Sequence, residues 1–186
     1  MLRLFVAIDI SSEIADEIEM FETALRRYDL DIRWIPKTNL HLTLKFLGSV
    51  DPKRLPSIQE EMTHLCATTE IFTAHLAELG IFPDREHPQV LWIGADEGSE
   101  PLAELAKETE EAMKRVGFPS LARAFTPHLT VGRFKSNLNL DNFRVAMEEI
   151  NFRSAYTLRI DHLSLYRSYL REHGPQYECI SRSDFI

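Results

Sequence analysis

"HLTLKFLG" at residues 41–48 returns as "HLTVGRFK" at residues 128–135. Each copy sets a histidine, one apolar residue and a threonine at the head of a run with the composition of a buried strand. A core strand gains little from an imidazole, which needs a polar partner when it leaves water. Two of them in matching settings call for an explanation beyond packing. In a strand, residues i and i+2 share a face, so His41 with Thr43, and His128 with Thr130, each place an imidazole beside a hydroxyl. Leu42, Leu44, Leu129 and Val131 then point the other way, into the core. By the same alternation Lys45 falls on the His41 face, with a stem long enough to take its charge to water.

The two histidines are 87 positions apart, and that offset aligns further anchors without a gap. It pairs Thr43 with Thr130, Ser49 with Ser136, His75-Leu76 with His162-Leu163, Pro88-Gln89 with Pro175-Gln176, and Leu4 and Asp9 with Leu91 and Asp96. The pairs fall in equivalent predicted elements, which implies a duplication. The expected fold is α+β and bilobal: a single domain over residues 1–186, built from two pseudo-symmetric halves, each an antiparallel-sheet lobe with outer helices. Each half would bring one motif to a central cleft.

The rest of the chain fits alternating elements. Residues 2–9 form a predicted strand, and Ser11 or Ser12 caps a helix with the apolar face Ile14, Ile18, Phe21, Leu25 and Tyr28. The first motif strand is expected to end at Gly48. A second helix carries Leu55, Ile58, Met62 and Leu65. Strands follow near 71–79 and 89–94 across a "FPDREHP" loop, and a third helix carries Leu102, Leu105, Ala112, Met113 and Val116 up to a stop at Gly117. After the second motif strand come a short helix with Phe143, Met147 and Ile150 and strands near 152–160, 162–169 and 176–181.

Charge narrows the choice of ligand. The net charge is −8, which argues against a protein that grips a long duplex. Yet Arg33 to Arg54 holds five basic residues against one acidic, and Lys114 to Lys135 holds five basic and none acidic. Positive charge is therefore gathered around the two motifs, which suits a small anion or a strand end. With 44% hydrophobic residues the 186-residue chain reads as globular. It has no apolar stretch near the roughly 20 residues of a membrane span, so no membrane association is expected. The opening "LFVAIDI" is too short and too acidic for a secretory signal, and Cys66 and Cys179 lie outside any CxxC pattern. A cytoplasmic monomer without an obligate protein partner is the expectation.

Brought together by a two-fold axis, two imidazoles flanked by two hydroxyls suit in-line displacement at phosphorus. One histidine takes a proton from the attacking oxygen and the other gives one to the leaving oxygen. The hydroxyls, aided by Arg133 or Lys45, would hold the non-bridging oxygens. No cofactor is called for, and no carboxylate or cysteine lies at metal-ligand spacing beside either histidine.

"LHLTLKFLG" and "RAFTPHLTVGR", with "PQVLWIG" between them and "LSLYRS" and "GPQYECI" near the end, resemble the 2H phosphoesterase superfamily. Within it the chain looks most like the RNA 2',3'-cyclic phosphodiesterases, also called 2'-5' RNA ligases. The resemblance implies the duplicated bilobal fold and a hydrolase that opens RNA 2',3'-cyclic phosphate ends to 2'-phosphomonoesters. In some members it extends to 2'-5' ligation. It also implies that His41 is the proton donor and His128 the acceptor, and that Thr43, Thr130 and Arg133 bind the phosphate. Gly132, just before that arginine, departs from the family pattern. Since these motifs handle only the phosphate, a small cyclic nucleotide or an ADP-ribose cyclic phosphate stays open as substrate. So does a non-catalytic RNA-end-binding module, although binding alone needs no second proton-transfer group.

The remaining candidates have plainer readings. His75 and His162 lack a threonine two residues on and read as structural; His64, His87 and His173 read as surface. Trp34 and Phe125 flank the motifs and suit either base stacking or core packing.

Overall fold

The computed structural model describes residues 1–120, 126–136, 139–172 and 174–186. Among these, the first half of the chain runs β1 (Leu2–Asp9), α1 (Ser12–Arg26), β2 (Ile32–Trp34), β3 (His41–Val50), α2 (Leu55–Cys66) and β4 (Phe72–Phe82). The second half runs β5 (Val90–Glu97), α3 (Ser99–Arg115), β6 (Leu129–Phe134), α4 (Leu140–Glu149), β7 (Thr157–Ile160), β8 (His162–Arg171) and β9 (Gly174–Asp184).

Local chemistry accounts for the helices. The Ser11 hydroxyl accepts from the Ile14 amide and starts α1, whose Ile14, Ile18, Phe21 and Leu25 are all buried. Each such side chain contributes roughly 1.5–3 kcal/mol when removed from water. In α2 the buried face is Ile58, Met62 and Leu65. In α3 it is Leu102, Leu105, Ala112 and Met113, and the chain leaves the helix through Gly117 at φ +84°, a left-handed conformation that costs a glycine little. Phe143 and Ala146 anchor α4.

Every strand pairing is antiparallel, and one sheet runs in the order β7-β4-β5-β6-β3-β1-β8-β9, with β2 alongside β6. Its centre decides where the motifs meet. β3 and β6 touch through the register pair Leu42–Leu129, each residue immediately following a motif histidine. Outward from that junction the order is β3-β1-β8 on one side and β6-β5-β4 on the other. β4 therefore leaves the first half of the sequence to lie beside β5, and β8 leaves the second half to lie beside β1. The exchange ties the halves into one core that runs from Leu4 to Phe185.

Four expectations need correction. Gly48 does not end the motif strand; at φ +72° it sits in a β-bulge, where Leu47 is the extra residue between the pairs Leu4–Gly48 and Phe5–Phe46, and β3 continues to Val50. β7 begins only at Thr157, because the Glu17 carboxylate accepts from the Ser154 hydroxyl (2.5 Å) and the Ala155 amide (2.9 Å) and holds that stretch out of the ladder. β2, three residues long, offers no periodicity to read, and the alternating elements expected from sequence leave it out. The anchor pair Pro88-Gln89 and Pro175-Gln176 falls on unlike places, since Gln89 precedes β5 in mid-sheet while Gln176 lies in the edge strand β9.

Candidate active site

Each motif strand carries a bulge just beyond its threonine. On β3, Thr43 pairs with Ala7 and Lys45 with Val6, so Leu44 is an extra residue. On β6, Thr130 pairs with Trp92 and Gly132 with Leu91, so Val131 is extra. Leu44 and Val131 are 87 positions apart, so the irregularity is repeated with the motif. A bulge inverts the alternation beyond it. His41, Thr43 and Phe46 line the cleft, and so do His128, Thr130 and Arg133.

This corrects the placement of Lys45. The inversion turns it away from the cleft, where it is 2% exposed, paired with Glu110 of α3 and donating to the Pro119 carbonyl at 2.7 Å. It neither reaches the cleft nor extends to water. Gly132 occupies the equivalent position on β6, and the reason for glycine is steric: a Cβ there would stand 2.6 Å from Cγ2 of Ile32 on β2.

The two imidazoles are held alike. Nδ1 of His41 lies 2.7 Å from the Asn39 carbonyl, and Nδ1 of His128 lies 2.8 Å from the Thr126 carbonyl, each two residues upstream. A carbonyl only accepts, so Nδ1 carries the proton and Nε2 is left as the basic nitrogen. Aromatic rings fix the planes. Phe5 and Tyr177 stand 4.8 and 5.1 Å from the His41 ring; Phe82 and Trp92 stand 5.0 and 5.9 Å from that of His128. Phe5 and Trp92 are themselves repeat-equivalent. Gly80 leaves room for the indole, since a Cβ there would fall 1.9 Å from it.

Burial lowers the pKa of both histidines, because desolvation penalises imidazolium, and the carbonyl bonds offset this in part. Beyond that the two differ. The Asp9 carboxylate pulls His41 upward against a smaller downward push from His128, whereas Arg133 pushes His128 further down. Asp9 is register partner of His41; burial works to raise its pKa, but three donors, His162 (2.7 Å), Tyr166 and Ser164 (2.8 Å), outweigh it together and hold the carboxyl below its usual range. The structural reading of His162 and His75 holds in this geometry. His162 ties β8 to Asp9 on β1, and the repeat-equivalent His75 ties β4 to Asp96 on β5 at 2.7 Å. His64 and His87 are exposed.

Thr43 is 8% exposed, and neither motif threonine hydroxyl is engaged by another described residue. Trp34 is half-buried at the cleft wall with Arg26 5.7 Å above its ring. Phe125 and His173 lie outside the described residues. Sequence reasoning did not single out Arg33, Asn39 or Tyr177, which also line the cleft; they come from β2, its following loop and β9, none of which carries a motif. Among the described residues no group of three or more His, Cys, Asp or Glu side chains could hold a metal ion, and no helix is long and apolar enough to cross a membrane.

Comparison with known proteins agrees with this architecture. A solved structure from Thermus thermophilus superposes with a TM-score of 0.84 over 99% of this chain and 98% of its own at 24% identity, which is a likeness of fold. The apo form of E. coli LigT gives 0.79 over 99% and 97% at the same identity. Among sequence relatives, a Methanocaldococcus jannaschii protein named RNA 2',3'-cyclic phosphodiesterase is 35% identical over 96% of this chain and 98% of its own. One of the same name from Methanothermobacter thermautotrophicus is 30% identical over 95% of each. Residues 10–172 match the family described as the 2'-5' RNA ligase superfamily, and the chain belongs to that family.

Proposed function

We propose that this chain is an RNA 2',3'-cyclic phosphodiesterase, opening cyclic phosphate ends to 2'-phosphomonoesters. The observation that carries the reading is the pair of histidines tethered alike through Nδ1 and facing one cleft with a threonine each. The relatives' names point to the same substrate. Residues 1–186 are read as one domain of two pseudo-symmetric halves, acting as a cytoplasmic monomer without a metal.

In the proposed step, Nε2 of His128 takes a proton from water as its oxygen bonds to phosphorus. The bond from phosphorus to O3' breaks, and Nε2 of His41 gives its proton to O3'. The electrostatic asymmetry favours this division of labour: Asp9 helps His41 hold a proton, and Arg133 helps keep His128 unprotonated. Thr43, Thr130 and Arg133 hold the non-bridging oxygens as their charge grows. A 5'-hydroxyl attacking in place of water, with O3' leaving as before, would give a 2'-5' bond.

Phosphorus NMR of the product from a cyclic-ended oligonucleotide tests the assignment. A 2'-phosphate is expected, formed equally well in excess EDTA. A 3'-phosphate as main product would reverse the donor geometry, and loss of activity in EDTA restored by one divalent ion would contradict the metal-free step.

A further inference from the structure

The cleft holds more positive charge than one cyclic phosphate requires. Arg33 on β2 and Arg133 on β6 are direct register partners, and both line it. Like charges opposite one another across a strand pair destabilise the pairing. Among the described residues neither arginine has an ion pair, and no carboxylate lines the cleft. The nearest carboxylate in sequence, Asp31, lies outside the cleft and is taken up by Lys135 and the Ser136 hydroxyl, and Arg33 to Val50 contains no acidic residue. A 2',3'-cyclic phosphodiester carries a single negative charge. Arg133, on the motif strand and beside His128, answers that charge, which leaves Arg33 without a counter-ion.

We propose that Arg33 forms a second anion site, which binds the 5'-phosphate of the terminal nucleotide and so favours a polynucleotide end over a free nucleoside cyclic phosphate. The inference rests on the phosphodiesterase reading above, because that reading places the cyclic phosphate between the histidines. In a cyclic-ended strand the next negative charge along the chain is the phosphodiester on the 5' side. Register partners in an antiparallel pair stand about 4.5–5.5 Å apart, so two long side chains rising from them can address two neighbouring phosphates. Gly132 guards the arrangement: it lets Ile32 pack closely and keeps β2, with Arg33, against β6.

The test is equilibrium binding of adenosine 2'-monophosphate and adenosine 2',5'-bisphosphate, which differ only by the 5'-phosphate, to the wild type, Arg33→Gln and Arg33→Lys. The wild type should bind the bisphosphate about tenfold or more tightly, as one charge-assisted contact provides. Arg33→Gln should bring the ratio of the two affinities close to one, and Arg33→Lys should restore part of it. A wild-type ratio near one, or a substitution that weakens both ligands equally, would overturn the second site; in the latter case Arg33 serves the reacting phosphate. Wild-type turnover of adenosine 2',3'-cyclic phosphate, measured alongside, reports on the phosphodiesterase reading separately. Turnover with no 5'-phosphate advantage removes the second site alone, and a protein that neither binds these ligands nor turns over the cyclic phosphate removes both.

Discussion

A histidine in a buried strand has to be satisfied, and both motif histidines are satisfied by the chain itself, through carbonyls two residues upstream. That occupies Nδ1 of both rings and fixes the tautomer. In the proposed step each ring transfers a proton, so His41→Ala and His128→Ala should each lower kcat by about 10²- to 10⁴-fold. Either variant with unchanged kcat would end the assignment. Asp9→Asn is a subtler probe. Losing the carboxylate lowers the pKa of His41, whose protonated form the proposed step requires, so the high-pH limb of kcat/KM should move to lower pH; a limb that stays in place would separate Asp9 from His41. The histidines and threonines were legible in sequence because a polar pair repeated inside apolar strands has few other uses. Arg33, Asn39 and Tyr177 were not, because they reach the cleft from segments with no motif of their own.

At the level of the element, the bulges at Leu44 and Val131 decide which side chains the cleft receives. Simple alternation would put Lys45 with His41 and leave Arg133 facing away from His128. One extra residue per strand reverses both. Sequence patterning shows a period of two and its hydrophobic face, but not where a strand gains a residue, so the strands could be read while their far ends could not. The displaced lysine is now a structural group. With Lys45 2% exposed and Glu110 13% exposed, Lys45→Ala leaves a carboxylate largely buried without its cation, a loss of about 3–5 kcal/mol. Urea unfolding should show that loss in Lys45→Ala and much less of it in Lys45→Met with Glu110→Leu. A single variant within about 1 kcal/mol of wild type would mean that water reaches the pair.

Across the whole molecule, strand exchange makes β1–β8 and β5–β4 the seams between sequence halves, and a histidine–aspartate pair sits on each seam. The repeat was readable because both seams use the same residues at the same offset; the exchange was not, since an offset does not say which half a strand pairs with. Hydrogen bonds from Asp9 and then Asp161 raise the pKa of His162, burial works against them, and Arg182 opposes them weakly. A histidine raised in the folded state binds its proton more tightly there than in the unfolded chain. Its contribution is complete below the unfolded value of about 6.5 and fades as pH rises through the folded value. The carboxylate partner runs the other way: Asp9 is lowered, and its share is lost only as pH falls through the acid range, well below neutrality. Between these limits, His162→Asn should cost more stability at about pH 5.5 than at about pH 8.5. His41→Ala should show the opposite trend, because burial depresses the pKa of His41 and low pH strains the folded state at that site. Thermal unfolding of the two variants and the wild type at both pH values measures this directly. Equal losses for His162→Asn at the two pH values would mean that the seam is held by the neutral hydrogen bond alone, with no part played by the charge.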